Sequence, residues 1–144
     1  MSARRRSAVR IGVTGLGERE EAIVYLSRAT LLAPEVLAPW LALARLQQEN
    51  GEGAHALETL RAAVIAAPEA VEGHLALSEA CLAEGLLSDA LPHLKQAFLL
   101  QPGSDSIAFL YGKTLHALGH SSEARSVLER TRSYWMRRPE MAYE

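Results

Sequence analysis

The chain has 144 residues, 49% of them hydrophobic, and a formal net charge of -2; this size is typical of one domain, and a charge near zero argues against obligate nucleic-acid binding. The strong helix formers Ala and Leu contribute 24 and 23 residues, against only 7 Val and 4 Ile, which excludes a β-rich fold. A single cysteine excludes an intrachain disulfide and a cysteine-based zinc site, and no apolar run approaches the roughly 18 residues that a membrane span needs.

The first segment, residues 1–16, is basic and contains several glycines. Arg6 and Arg10 stand where a regular helix of this array would need a large apolar and a small residue, so we expect a frayed or short helix. Arg4, Arg5 and Arg6 are candidate contacts to an acidic partner, RNA, a membrane surface or a second copy of the chain, whereas the simpler interpretation is a solvated tail.

Proline and glycine recur at one constant interval along the rest of the chain. The repeated positions are Pro34, Pro68 and Pro102, and Gly17, Gly51, Gly85 and Gly119. Alanine and leucine follow the same period at Ala22, Ala56, Ala90 and Ala124, and at Leu26, Leu60, Leu94 and Leu128. A period of about 34 residues is typical of an array of helix-turn-helix units.

Each unit of this array is predicted to contain two helices. The full units span 37–70, 71–104 and 105–138, with the second helix of a partial unit at 17–36 and a tail or short cap at 139–144. Gly51 can end a first helix because it tolerates positive φ, and Pro68 cannot continue a second helix. The expected N-caps are Ser88 and Ser121 or Ser122 for second helices, and Ser104 or Asp105 for a first helix.

The residues that carry a family resemblance are Trp40-Leu-Ala-Leu43-Ala44, Ala56-x-x-x-Leu60 and Pro68. Together they resemble a tetratricopeptide repeat. The resemblance covers three full units and the second helix of an earlier one. We call the equivalent positions of successive units a column. The chain departs from the family pattern in the first column, which has a large residue in the family and is Trp40, His74 and Ala108 here. The resemblance implies an all-α fold, an α-solenoid of antiparallel helix pairs, and a function in binding other proteins.

In this family the first helices line a concave surface that holds an extended peptide or a partner helix. The resemblance therefore implies a partner-binding row at Leu41, Arg45, Gln48, Leu75, Glu79, Leu82, Phe109, Lys113 and His116. An apolar ridge flanked by charges suits a segment with spaced hydrophobic anchors; the alternative is that the leucines simply cover the inner helices. The family's carboxylate clamp needs Lys, Asn and Arg on this face, and the residues found there disfavour it: Leu41, Arg45, Ala76, Ser106 and Leu110.

Motifs for catalysis, cofactors and metals are weak in the sequence. The run Gly-Val-Thr-Gly-Leu-Gly over residues 12–17 lacks the Lys-Ser/Thr of a phosphate loop. His116 and His120 have the spacing of a helical metal pair, but Gly119 ends that helix, which favours surface histidines. Cys81 falls in an inward column and is expected to be a buried, unreactive thiol. We therefore predict no catalytic residue, no cofactor and no metal site.

The C-terminal end carries a cluster of aromatic and sulfur-containing residues: Tyr134, Trp135, Met136, Met141 and Tyr143. A repeat array needs its exposed ends covered. The cluster is therefore interpreted either as a cap on the last unit or as a contact surface for a second copy, for which Tyr134, Trp135 and Met136 are the candidate residues.

Charge is distributed unevenly along the chain. Residues 1–10 carry +4, residues 11–124 carry −8 and residues 125–144 carry +2. An acidic middle between basic ends predicts that any association of copies through those ends weakens with ionic strength.

The leading hypothesis for function is a non-catalytic scaffold or adaptor that binds a peptide or helix of a partner protein in its concave groove. The alternatives are a building block that self-associates through its ends, and an accessory or chaperone-like subunit of a larger enzyme or secretion machine. A Met1 start without a hydrophobic signal segment predicts a cytoplasmic protein.

Overall fold

The computed structural model describes residues 17–137, and every regular element within that range is an α-helix. The helices are α1 (Glu18–Leu32), α2 (Leu37–Glu49), α3 (Gly53–Ala66), α4 (Val71–Ala83), α5 (Leu87–Leu100), α6 (Asp105–Ala117) and α7 (Ser121–Arg137). The starts of α2, α4 and α6 are evenly spaced along the chain, and those of α3, α5 and α7 have the same spacing, which confirms the predicted all-α fold. The basic segment 1–16, with Arg4, Arg5 and Arg6, and the tail 139–144 lie outside the described residues.

A glycine in the left-handed conformation follows the first helix of each pair. Gly51, Gly85 and Gly119 have φ angles of 77°, 75° and 87°, a region in which a Cβ is costly. The amide after each glycine donates to a carbonyl five residues earlier, as in the 2.8 Å bond from Leu86 N to Cys81 O, and so satisfies a carbonyl at the helix end. The predicted role of Gly51 is confirmed.

The expected serine N-caps are wrong for α5 and α7 and right for α6. α5 begins one residue before Ser88, and no side chain caps it. α7 begins at Ser121, so Ser121 and Ser122 lie inside its first turn. The reason is that only one residue separates the turn glycine from the next helix, so α5 begins before Ser88 and α7 begins at Ser121 itself. Ser104 does cap α6, because its Oγ accepts a hydrogen bond from Ile107 N at 3.3 Å.

Internal contacts divide the chain into two compact units, Met1–Ala67 and Pro68–Glu144. In the first unit α2 packs against α1 and α3. In the second unit α5 packs against α4 and α6, and α6 also packs against α7. The core of the second unit consists largely of leucine and alanine, with fully buried side chains at Leu77, Ala90, Leu94 and Ala97.

Small residues allow the two helices of each pair in the second unit to approach closely. Ser78 of α4 and Ala90 of α5 are both fully buried. A Cβ added at Gly112 of α6 would lie 3.8 Å from the backbone oxygen of Ala124 in α7. The Ser78 hydroxyl is hydrogen-bonded at 2.9 Å to carbonyls of its own helix, so its burial leaves no unmet donor.

Ring N–H groups hold two of the loops that lead into first helices. Trp40 Nε1 donates to Pro34 O at 2.9 Å, and in the next repeat His74 Nε2 contacts Pro68 O at 2.8 Å. Because the proline carbonyl can only accept, the His74 proton lies on Nε2. His74 is 5% exposed, whereas Trp40 is half-buried, so the two equivalent residues share the hydrogen bond but not the degree of burial.

Candidate protein-interaction site

Three of the predicted partner-binding residues share one face of α6. Phe109, Lys113 and His116 are spaced by four and three residues, which aligns them along a helix. All three side chains are exposed, and Phe109 is 65% exposed. Lys113 Nζ lies 5.9 Å from the centroid of the Phe109 ring, so a cation and an aromatic face lie together at the surface.

Helix α7 completes a groove beside these residues. Ser121, Arg125 and Leu128 form the second wall, and the groove has a volume of about 550 Å³. Gly112 and Ala124 line it between the two walls, at the point where the helices approach. No carboxylate of the described residues lines the groove, so its charged side chains, one from each helix, are cationic.

The other members of the predicted partner-binding row lie outside this groove. The half-buried side chains are Leu41, Leu75 and Leu82, and the exposed ones are Arg45, Gln48 and Glu79. Those numbered 75–82 lie on α4 in the second unit, and those numbered 41–48 lie on α2 in the first. The structure therefore brings three predicted residues into one groove, all of them from α6.

The second wall of the groove is not predicted by the sequence analysis. Leu128 belongs to a leucine column that the repeat places in the core. Its counterpart Leu94 is 0% exposed, whereas Leu128 is 54% exposed, since α7 is the last helix of the described chain. The signal in the sequence was that Leu128 is the last leucine of this column among residues 17–137.

The aromatic residues at the end of α7 contact the loop between α5 and α6. Trp135 Nε1 donates to Gly103 O at 2.9 Å, and the Tyr134 ring lies so close that a Cβ added at Gly103 would come within 2.6 Å of its Cδ1. The two rings meet edge to face at 5.4 Å. Met136 is instead 67% exposed. Tyr134 and Trp135 thus pack within their own unit, while Met136 faces outward.

A smaller groove of about 250 Å³ lies beside Tyr111, between α5 and α7. Lys95, Glu123 and Arg130 line it, so its charges are of both signs. Burial raises the pKa of the Tyr111 phenol, the Glu123 carboxylate raises it further, and Arg130 opposes the rise. The α6–α7 groove differs in that all of its charged side chains are cationic.

The histidines near the α6–α7 groove contact separate partners. His116 Nδ1 lies 3.2 Å from Ser121 Oγ, whereas His120 Nδ1 lies 3.6 Å from Glu123 Oε1. Cys81 is 1% exposed, a buried position as its column predicts. Between residues 17 and 137, no three His, Cys, Asp or Glu side chains are grouped as a metal site.

The chain is an α-helical repeat protein, because its helix pairs recur at a constant interval. Residues 81–134 match the tetratricopeptide repeat family, which confirms the resemblance over α5, α6 and most of α7. No curated protein matches the chain at a significant level.

Solved structures of MamA have the same fold. The MamA RS-1 ArsTM double mutant aligns with 95% of this chain and 73% of its own, at 15% identity and a TM-score of 0.67. A crystal structure of MamA aligns with 92% of this chain and 74% of its own, at 19% identity and a TM-score of 0.66. For MamA MSR-1 the coverage is 84% and 70%, the identity 18% and the TM-score 0.62. This likeness shows the fold alone and confirms the predicted α-solenoid.

The family match supports a protein-interaction scaffold in general terms, since repeats of this kind present extended surfaces to protein partners. Such scaffolds are typically non-catalytic. In the part of the chain from residue 17 to 137, no helix combines the length and the apolar character needed to cross a membrane.

Proposed function

We propose that the chain is a non-catalytic interaction scaffold that binds a peptide or helix of a partner protein on the exposed face of α6, beside α7. The observation that carries the proposal is the 65% exposure of Phe109 at the edge of an open groove. Exposed aromatic rings that border a pocket are frequent anchors of protein interfaces.

The composition of the groove supports the same function. Phe109 and Leu128 offer apolar surface on opposite walls, and Lys113 and Arg125 place a cation on each wall. Apolar walls with a few fixed polar groups are what a specific ligand site requires, because burial supplies affinity and the polar groups fix orientation. The family match over residues 81–134 covers the groove.

Peptide selection followed by affinity measurement tests the proposal. Panning a displayed peptide library on the full chain supplies ligands, and fluorescence anisotropy then gives their Kd. Phe109→Glu should raise Kd at least about tenfold, roughly 1.4 kcal/mol, because a carboxylate replaces the aromatic anchor. Leu99→Glu is the matched control, since Leu99 is 53% exposed on α5 and lies outside the groove. The proposal fails if the library yields no ligand, or if Phe109→Glu leaves Kd and helical content both unchanged.

A further inference from the structure

Two equivalent leucines of the second unit differ in what covers them. On α5, Leu94 is 0% exposed, and α6 packs against that helix. One repeat later, Leu128 of α7 is 54% exposed, and no further helix of residues 17–137 packs there. Leu128 is therefore open at the position where, one repeat earlier, α6 packs against α5.

The α6–α7 groove also differs in charge from the equivalent positions of the preceding pair. A shift by one repeat replaces Glu79 by Lys113 and Leu91 by Arg125. Both cations line the open groove, and no carboxylate of the described chain lies among its lining residues. The groove thus keeps an apolar side chain on each wall and adds positive charge beside it.

We infer that the α6–α7 groove binds an amphipathic helix whose apolar stripe is flanked by carboxylates. The inference rests on the proposed function and names the chemistry of the partner. Phe109 and Leu128 receive the apolar stripe, while Lys113 and Arg125 pair with Asp or Glu at its borders. Complementary charge fixes the register of such a helix and excludes basic segments of similar hydrophobicity.

The packing of α6 on α5 indicates a helix rather than an extended peptide. α6 buries Ile107, Tyr111 and Leu115, which are spaced by four residues, and the Tyr111 ring lies 5.8 Å from the Phe98 ring of α5. A partner helix with this spacing presents one apolar side chain per turn to the groove. It also satisfies its own backbone hydrogen bonds, whereas an extended segment in this groove would depend on water and side chains to satisfy them.

Three synthetic peptides serve as probes on the full chain, with fluorescence anisotropy as the readout. The first is a stapled helix that copies the spacing of Ile107, Tyr111 and Leu115 and carries Glu on both sides of that stripe. The second has Lys in place of every Glu. The third keeps Glu but has a central Pro and no staple, which prevents a continuous helix. We expect the Glu helix to bind at least about tenfold more tightly than either alternative, and its affinity to fall as salt is added.

Two charge-reversing substitutions on α7 test whether peptide selection depends on the charge in the groove or on the charge of the helix as a whole. Arg125→Glu should remove the preference for the Glu helix, because Lys113 is then the single remaining cation of the pair and a carboxylate lies opposite it. Arg130→Glu is the matched control, because Arg130 lines the α5–α7 groove instead, and it should leave the preference unchanged. Both side chains are exposed, so equal circular dichroism spectra are expected for the two variants.

Each contrary outcome has a distinct meaning. Equal affinity for the Glu and Lys helices overturns the acidic partner, and equal affinity for the Pro peptide overturns the helix; loss of binding in Phe109→Glu would still support the scaffold. A dimer in sedimentation equilibrium that Leu128→Glu abolishes assigns the groove to a second copy and overturns the inference. If no probe binds, the inference fails, and the scaffold function stands only if library-selected peptides still depend on Phe109.

Discussion

The helix pairs α4–α5 and α6–α7 have the same internal crossing but different surroundings. Both pairs place small, buried residues where their helices meet. The leucine that follows this crossing is 0% exposed at Leu94 and 54% exposed at Leu128. Register therefore fixes the direction in which a side chain points, whereas the next helix decides whether that side chain is buried.

The two pairs also hold their entry loops in different ways. His74 of α4 donates to Pro68 O, six residues earlier. Ala108 occupies the same column of α6 and has no ring to donate, and here Trp135 of α7 donates to Gly103 O from 32 residues further along the chain. The last helix thus supplies a hydrogen bond that the column residue of its own pair lacks.

The two pairs should differ most in the free energy of unfolding that is lost when the equivalent leucines, Leu94 and Leu128, are truncated. Leu94→Ala should lower the free energy of unfolding by about 3 kcal/mol, because it leaves a cavity in a fully packed site. Leu128→Ala should lower it by less than about 1 kcal/mol, because half of that side chain is already in water. Urea unfolding followed by circular dichroism measures both values on the same chain.

Equal losses for the two variants would contradict the contrast. They would mean that Leu128 is covered in solution by a second copy of the chain. Repeating the measurement over a range of protein concentrations identifies that case, since stability conferred by a second copy depends on concentration.

The loop contacts give a smaller effect. Trp135→Phe removes the donor to Gly103 O but keeps a ring beside Tyr134, so we expect a loss of about 1 kcal/mol in unfolding free energy, the usual net value of one hydrogen bond. Met136→Ala is the control on the same helix, because Met136 is 67% exposed. A loss no greater than that of Met136→Ala would show that the 2.9 Å contact does not hold the loop.

The fold was accessible from the sequence because its signals are local. A glycine after each first helix and a proline after the second helices α1, α3 and α5 fix where these helices end, and their spacing gives the repeat. The caps of α5 and α7 were predicted wrongly because Gly85 and Gly119 lie only two residues before the next helix. A turn this tight starts the helix before Ser88 or Ser122 is reached.

The candidate site was accessible only in part. Phe109, Lys113 and His116 follow from helical periodicity, which requires only the sequence of α6. The exposure of Leu128 and Arg125 depends on which helices of the described chain pack against each other, and that is a tertiary fact. Leu94 and Leu128 occupy the same position of successive repeats, so the repeat pattern predicts that both are buried. The prediction is right for Leu94 and wrong for Leu128.

The smallest expected effect concerns the glycine that replaces Ser78 at the crossing of the second pair. Gly112→Ala should raise the free energy of unfolding by about 0.5 kcal/mol, because alanine favours the helix and its Cβ would lie 3.8 Å from Ala124 O, an ordinary contact. Gly103→Ala is the opposing control. We expect this substitution to destabilise the chain, because the added Cβ would collide with the Tyr134 ring. Thermal unfolding of both variants shows whether each substitution stabilises or destabilises the chain. Destabilisation by Gly112→Ala would mean that α6 and α7 approach more closely than α4 and α5, and that glycine rather than any small residue is required there.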